Sequence, residues 1–207
     1  MTALLVSFPL PPSIAPTSFT HLRHLHLDTD GPFDAPFPFL PAVTHLTLHY
    51  CPRAPHAFTA SFPALEFLAI GYLHLCLPTS PASLTAPRAT NDDDTFLAQL
   101  AAHPPTRLTR FATRHYACPA AVLARLPATV VEFRFEVRPS YFRKAEAPAP
   151  REEGWAGVVG RMRRLTVVGM READAEAQAQ AQERGDVAEA ARLVAELEAA
   201  GCEVVHE

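Results

Sequence analysis

Three stretches follow one pattern: Leu22-Arg23-His24-Leu25-His26-Leu27, Val43-Thr44-His45-Leu46-Thr47-Leu48 and Leu65-Glu66-Phe67-Leu68-Ala69-Ile70. Each reads apolar-x-x-apolar-x-apolar, and each follows a further large apolar residue, Phe19, Leu40 or Phe62, by three positions. The closing apolar residues are Leu27, Leu48 and Ile70, at spacings of 21 and 22 residues. Alternation alone would announce short strands. A near-constant period adds that the strands are copies of one unit. One such unit has too few apolar side chains to close a core, so the copies must stack, with strands about 4.8 Å apart.

The pattern continues in weaker form. Leu108-Thr109-Arg110-Phe111-Ala112-Thr113 fits with a polar last position, and Val130-Val131-Glu132-Phe133-Arg134-Phe135 fits 22 residues later. Met162-Arg163-Arg164-Leu165-Thr166-Val167 fits too, preceded by Val159. The interval from Ile70 to Thr113 is 43 residues, close to two repeats, and that from Phe135 to Val167 is 32, which points to an insertion. The proline- and charge-bearing stretch 139–154 is the expected exposed insertion.

These segments resemble leucine-rich repeats, L-x-x-L-x-L. After the second copy comes His49-Tyr50-Cys51-Pro52, with Cys51 at the family's usual Asn or Cys position. His115-Tyr116-Ala117-Cys118-Pro119 echoes it one residue late, which leaves the fourth strand's register open by one. The style is most similar to the irregular repeats of fungal and plant F-box/leucine-rich-repeat proteins, over roughly residues 19–168. No F-box is visible, since residues 1–18 are too short and proline-rich for that helical domain. The resemblance implies an α/β solenoid with a short parallel sheet on its concave face and irregular loops and short helices on its convex face.

Composition agrees with an ordered chain. Apolar residues make up 48%, enough for a substantial core, and charged residues only 19%. Prolines number 21 of 207 and glycines 8, against a usual proline content of roughly 5%. Interleaved with apolar residues, the prolines suit short elements with stiff connections. The formal net charge of −4 gives no global attraction to nucleic acid. Cys51, Cys76, Cys118 and Cys202 show no C-x-x-C spacing and read as reduced, buried thiols. No basic n-region precedes the apolar stretch at Met1–Phe8, and no apolar run reaches the ~18 residues of a membrane helix. An intracellular protein of cytoplasm or nucleus, monomeric, without membrane or nucleic-acid partner, is expected.

Between the repeats, Asp30-Gly31-Pro32 signals a turn, and Pro36 to Phe39 should be extended with its phenylalanines covering the core. Asn91 to Ala102 reads as a helix with Phe96, Leu97 and Leu100 on its apolar face, capped by Asn91 and acidic in its first turn. Pro119 to Leu126 is a shorter one. The expected organisation is a repeat region over 1–168 and a C-terminal segment over 169–207. In the latter, Arg171 to Ala200 should be helical with a break near Gly185, Gly201 should cap it, and Cys202 to Val205 should form a final strand. Thr2 to Phe8 offers a strand to cap the other end.

The same pattern places the polar x positions in three rows across the sheet. The first holds His24, His45, Phe67, Arg110, Glu132 and Arg164. The second holds His26, Thr47, Ala69, Ala112, Arg134 and Thr166, and the third Asp28, His49, Gly71, Arg114, Glu136 and Val168. Histidines gather at one end and Arg alternates with Glu at the other, so like charges do not accumulate. Such a face suits a polar protein partner better than a phosphate backbone. In the family resembled, that partner would be a substrate for ubiquitin ligation. The candidate binding residues are His24, His26, Asp28, His45, Thr47, His49, Phe67, Arg110, Arg114, Glu132, Arg134, Glu136 and Arg164.

Two other readings stand beside this one. His24, His26, His45 and His49 on adjacent strands could converge on zinc or copper, though only Asp28 is at hand to complete a ligand set. Alternatively, the chain is a degenerate or truncated repeat protein with no partner. Catalysis has little behind it: G-x-S-x-G, P-loop, H-E-x-x-H and G-x-G-x-x-G motifs are absent from the sequence. His49 near Cys51 and His115 near Cys118 are the nearest approach to a nucleophile–base pair. No cofactor is expected. Trp155 and Tyr141 are available as aromatic anchors, with packing the plainer role for Trp155.

Overall fold

The structure, a computed structural model, describes residues 3–7, 19–28, 39–50, 58–72, 92–115, 119–136, 155–169 and 185–207, with the backbone alone for 3–7, 72, 92–94, 115 and 185–189. Among these residues the chain forms a mixed α/β fold around an eight-stranded sheet. The strands are β1 (Ala3–Ser7), β2 (His24–Asp28), β3 (His45–Tyr50), β4 (Phe67–Tyr72), β5 (Arg110–His115), β6 (Glu132–Glu136), β7 (Arg164–Val168) and β8 (Glu203–His206). Helices α1 (Phe58–Ser61), α2 (Asp92–Ala102), α3 (Pro119–Arg125), α4 (Trp155–Arg161) and α5 (Gly185–Ala199) lie between them. The sheet order is the chain order, β1 through β8, and every pairing is parallel. Each connection therefore adds its strand to the same advancing edge, and the order never reverses.

The repetition extends to the backbone hydrogen bonds. Just ahead of each strand from β2 to β7 the same turn recurs: Leu22, Val43, Leu65, Leu108, Val130 and Met162 donate their amides to the carbonyls of Phe19, Leu40, Phe62, Pro105, Pro127 and Val159, at 3.0–3.2 Å. Proline fits at Pro105 and Pro127 because the turn itself uses that residue's carbonyl and not its amide. Nearer the strand, one carbonyl accepts two successive amides of the next unit. Arg23 serves Thr44 and His45, Thr44 serves Glu66 and Phe67, Glu66 serves Thr109 and Arg110, Thr109 serves Val131 and Glu132, and Val131 serves Arg163 and Arg164. Each of these carbonyls thus ties two amides of the next unit together where the strands begin.

The two faces of the sheet differ. Leu25 and Leu27, Leu46 and Leu48, Leu68 and Ile70, Phe133 and Phe135, and Leu165 and Val167 are all buried in one continuous core. The first apolar positions of the pattern, Leu22, Val43, Leu65, Leu108, Val130 and Met162, join them. The helices cover this face: Phe96, Leu97 and Leu100 from α2, Val122 and Leu123 from α3, and Ala190, Leu193 and Leu197 from α5 belong to the same core. Phe58, Phe62 and Phe96 pack ring to ring, centroids 5.2 Å apart for each contact of Phe58. The alternate strand residues form an opposite face that no described helix covers.

Most expected elements are present. The helix expected at Asn91–Ala102 forms from Asp92, and that at Pro119–Leu126 ends at Arg125. The strand expected over Thr2–Phe8 is β1, parallel to β2. The fourth register resolves without a shift: Arg110 pairs with Phe67 and with Glu132. Gly201, at φ +84°, ends α5 in a Schellman arrangement, with Cys202 N–H donating to Leu197 C=O and Gly201 N–H to Glu198 C=O. The final strand begins at Glu203, one residue later than expected, because Cys202 is drawn into the core as the apolar partner of that cap. α5 and β8 continue the same core and sheet as the repeats. For Phe39 the expectation fails: it is 59% exposed instead of covering the core, since Leu40 occupies the inward position of the turn, while Pro36 to Pro38 lie outside the described residues. Helices α1 and α4 were not anticipated; both are short, α1 ending just before the turn at Phe62 and α4 running through Val159 to Arg161. The turn at 30–32, the stretch 139–154, the tail from 170 to 184 and Cys51, Cys76 and Cys118 lie outside the described residues. No described helix is long and apolar enough to cross a membrane.

Candidate functional site on the open sheet face

Parallel pairing in constant register makes the three rows real neighbours. His24, His45, Phe67, Arg110, Glu132, Arg164 and Glu203 face each other strand by strand, as do His26, Thr47, Ala69, Ala112, Arg134, Thr166 and Val205. The third row is joined by a contact from β2 to β3: His49 Nδ1 lies 2.6 Å from Asp28 Oδ1.

A groove of about 850 Å³ runs over the second and third rows. Its floor is made of small residues, Ala69, Gly71 and Ala112, on β4 and β5. Gly71 leaves little room for a side chain there: a Cβ would sit 3.0 Å from His49 Cδ2 and 3.1 Å from the His49 carbonyl oxygen. Of the residues picked from the sequence, His26, Asp28, Thr47, His49, Phe67, Arg114, Arg134 and Glu136 line this groove. His24, His45, Arg110, Glu132 and Arg164 lie outside it, in the first row. The floor itself was missed as a site, although small side chains at polar x positions of consecutive strands are a readable sign of a depression.

The rim is electrostatically mixed. At the β2–β3 end stands the Asp28–His49 pair, both partners well exposed. At the other end, Arg114 is exposed with no partner among the described residues, and Arg134 reaches Glu207 at 2.8 Å. Arg164 approaches Glu203 more loosely, at 3.9 Å. Exposed pairs of this kind contribute about 0–1 kcal/mol each, so they orient side chains more than they hold the sheet together.

The first row is organised differently. His24 and His45 stack with ring centroids 4.4 Å apart. Arg110 lies over the Phe67 ring at 5.5 Å and places Nη2 3.0 Å from His45 Nε2. His45 Nδ1 is 3.0 Å from Thr44 Oγ1, which in turn donates to the Arg23 carbonyl at 3.3 Å. Burial first, then the neighbouring His24 and Arg110, pull the His45 pKa below the ordinary value, while Glu66 pulls the other way.

The arrangement does not gather metal ligands. Among the described residues no three His, Cys, Asp or Glu side chains stand close enough to share an ion. His24 and His45 present ring faces to each other instead of converging nitrogens. Cys202 is a free, buried thiol on the covered side, its pKa raised by burial and by the Glu203 charge. Trp155 packs against the core and donates Nε1–H to Glu196 at 2.8 Å. Comparison of the chain with protein-family models, with curated proteins and with solved structures found no match.

Proposed function

We propose that this chain is a leucine-rich-repeat-like solenoid whose open face recognises a protein partner without catalysis. The observation that carries the reading is the groove floored by Ala69, Gly71 and Ala112 and rimmed by both signs of charge. Support for the solenoid comes from the strand order, which follows the chain, and from the turn and the shared carbonyl that recur in each unit. An uninterrupted row of units leaves one sheet face uncovered, and repeat proteins use such surfaces for binding. A depression beside the half-buried Phe67 accepts a bulky side chain, and the mixed rim matches polar groups around it. The concave-face partner is a protein segment carrying polar and charged groups around an apolar anchor. Under the resemblance to F-box/leucine-rich-repeat proteins, that segment belongs to a substrate of ubiquitin ligation.

The experiment is a quantitative comparison of proteins retained from the native cell by the wild-type chain and by a Phe67→Glu/Ala69→Glu double variant. Glu198→Lys, at an exposed position of α5, serves as a control away from the groove. Loss of specific proteins from the double variant alone is expected. Identical retention by all three chains would exclude the open face as the binding surface and leave the reading of a repeat protein without a partner there.

A further inference from the structure

We propose that His45 is a pH-operated latch: neutral, it holds Arg110 down against Phe67, and protonated, it releases Arg110 from the first row of the open face. The proton positions follow from what each group can do. A guanidinium can only donate, so His45 Nε2, 3.0 Å from Arg110 Nη2, must be the acceptor and carry no proton. The proton of the neutral ring is then on Nδ1. It points to Thr44 Oγ1 at 3.0 Å, which must accept it and spend its own hydrogen on the Arg23 carbonyl, 3.3 Å away. The chain of donors therefore runs one way, from Arg110 on β5 through His45 and Thr44 at β3 to Arg23 before β2.

A second proton on His45 has only Nε2 to bind. It would set an N–H against the Arg110 N–H and a positive charge beside a guanidinium, with no acceptor between them. The contact must open. Among the described residues the charged and titratable neighbours are these: His24 stacks on the ring from β2, Arg110 faces it from β5 and Glu66 stands before β4, while Phe67 on β4 is uncharged. Glu132 is paired in register with Arg110 one strand further on and offers the released guanidinium an anion. Burial first, then His24 and Arg110, oppose the second proton while Glu66 favours it, so His45 takes it up only below the ordinary histidine value of 6.5. The sign follows: with the folded value below the unfolded one, this contact's stabilisation is complete above 6.5 and is lost as pH falls through the folded value. The latch is a property of the sheet alone and needs no partner, but it alters the row bordering the proposed groove.

The test is long-range proton–nitrogen NMR of the histidine rings in the full chain, titrated with acid. For wild type, His45 should be the Nδ1–H tautomer at neutral pH and titrate below free histidine. In Arg110→Met the His45 midpoint should rise, and in Thr44→Val, where Arg110 still donates to Nε2, the ring should keep its proton on Nδ1. A wild-type His45 found as Nε2–H, or a midpoint unmoved in Arg110→Met, would overturn the latch. Neither outcome bears on whether the groove binds protein, which the retention experiment reads separately.

Discussion

Thr113 shows how a single side chain betrays its place in a repeat. It occupies the last apolar position of its unit, where Leu48, Ile70, Phe135 and Val167 stand in others, and it is only 2% exposed. Its hydroxyl finds no hydrogen-bond partner among the described residues. A buried hydroxyl left unpaired costs about 1–3 kcal/mol, so Thr113→Val should leave the fold unchanged and raise its stability by about 1 kcal/mol. Urea denaturation midpoints measure this, and a destabilised variant would show that the hydroxyl has a partner. The sequence displayed this residue plainly as a polar letter in an apolar column. It did not display the Arg110–His45 contact, because 65 residues separate the partners and their meeting depends on a two-strand reach across Phe67. The histidine row left metal ligation open as an alternative to protein binding, since residue type alone cannot tell stacked rings from convergent nitrogens.

The elements illustrate which local signals prevail. Strands were legible because apolar alternation and a fixed period coincide, and the inward letters of β2 to β7 are all buried. α2 was legible from Phe96, Leu97 and Leu100 at helical spacing, bounded by Pro104 and Pro105. α1 and α4 were not, being a single turn or two whose stability comes from packing and not from propensity. The end of α5 is a stronger case. Gly201 adopts φ +84°, and nothing lies within 4 Å of the place a Cβ would take, so backbone strain alone opposes a side chain there. Gly201→Ala should therefore lower stability by roughly 1–2 kcal/mol without altering the core. Thermal or urea unfolding of that variant reads the effect, and an unchanged stability would mean that the cap does not set the entry into β8.

At the scale of the molecule, a parallel sheet that never reverses its strand order has no crevice at a switch point, the usual ligand site of open α/β sheets. The ligand surface proposed for it is therefore a face. One face is closed by helices and by the core, and the other carries the groove. The rows of that face were legible in the sequence once the period was seen, because register in a parallel stack is the period itself. The depression within them was not, because it depends on three small residues of two adjacent strands being read together. Everything functional in this account rests on strands stacking in chain order. Spin-label distances across the second row test it most directly, with labels at His26→Cys paired first with Arg134→Cys and then with Val205→Cys. Four and six strand steps separate these positions in the sheet order. At about 4.8 Å per step, the backbone separations should be about 19 Å and about 29 Å. A 26–205 distance no longer than the 26–134 distance would contradict the stacking order, and with it the open face.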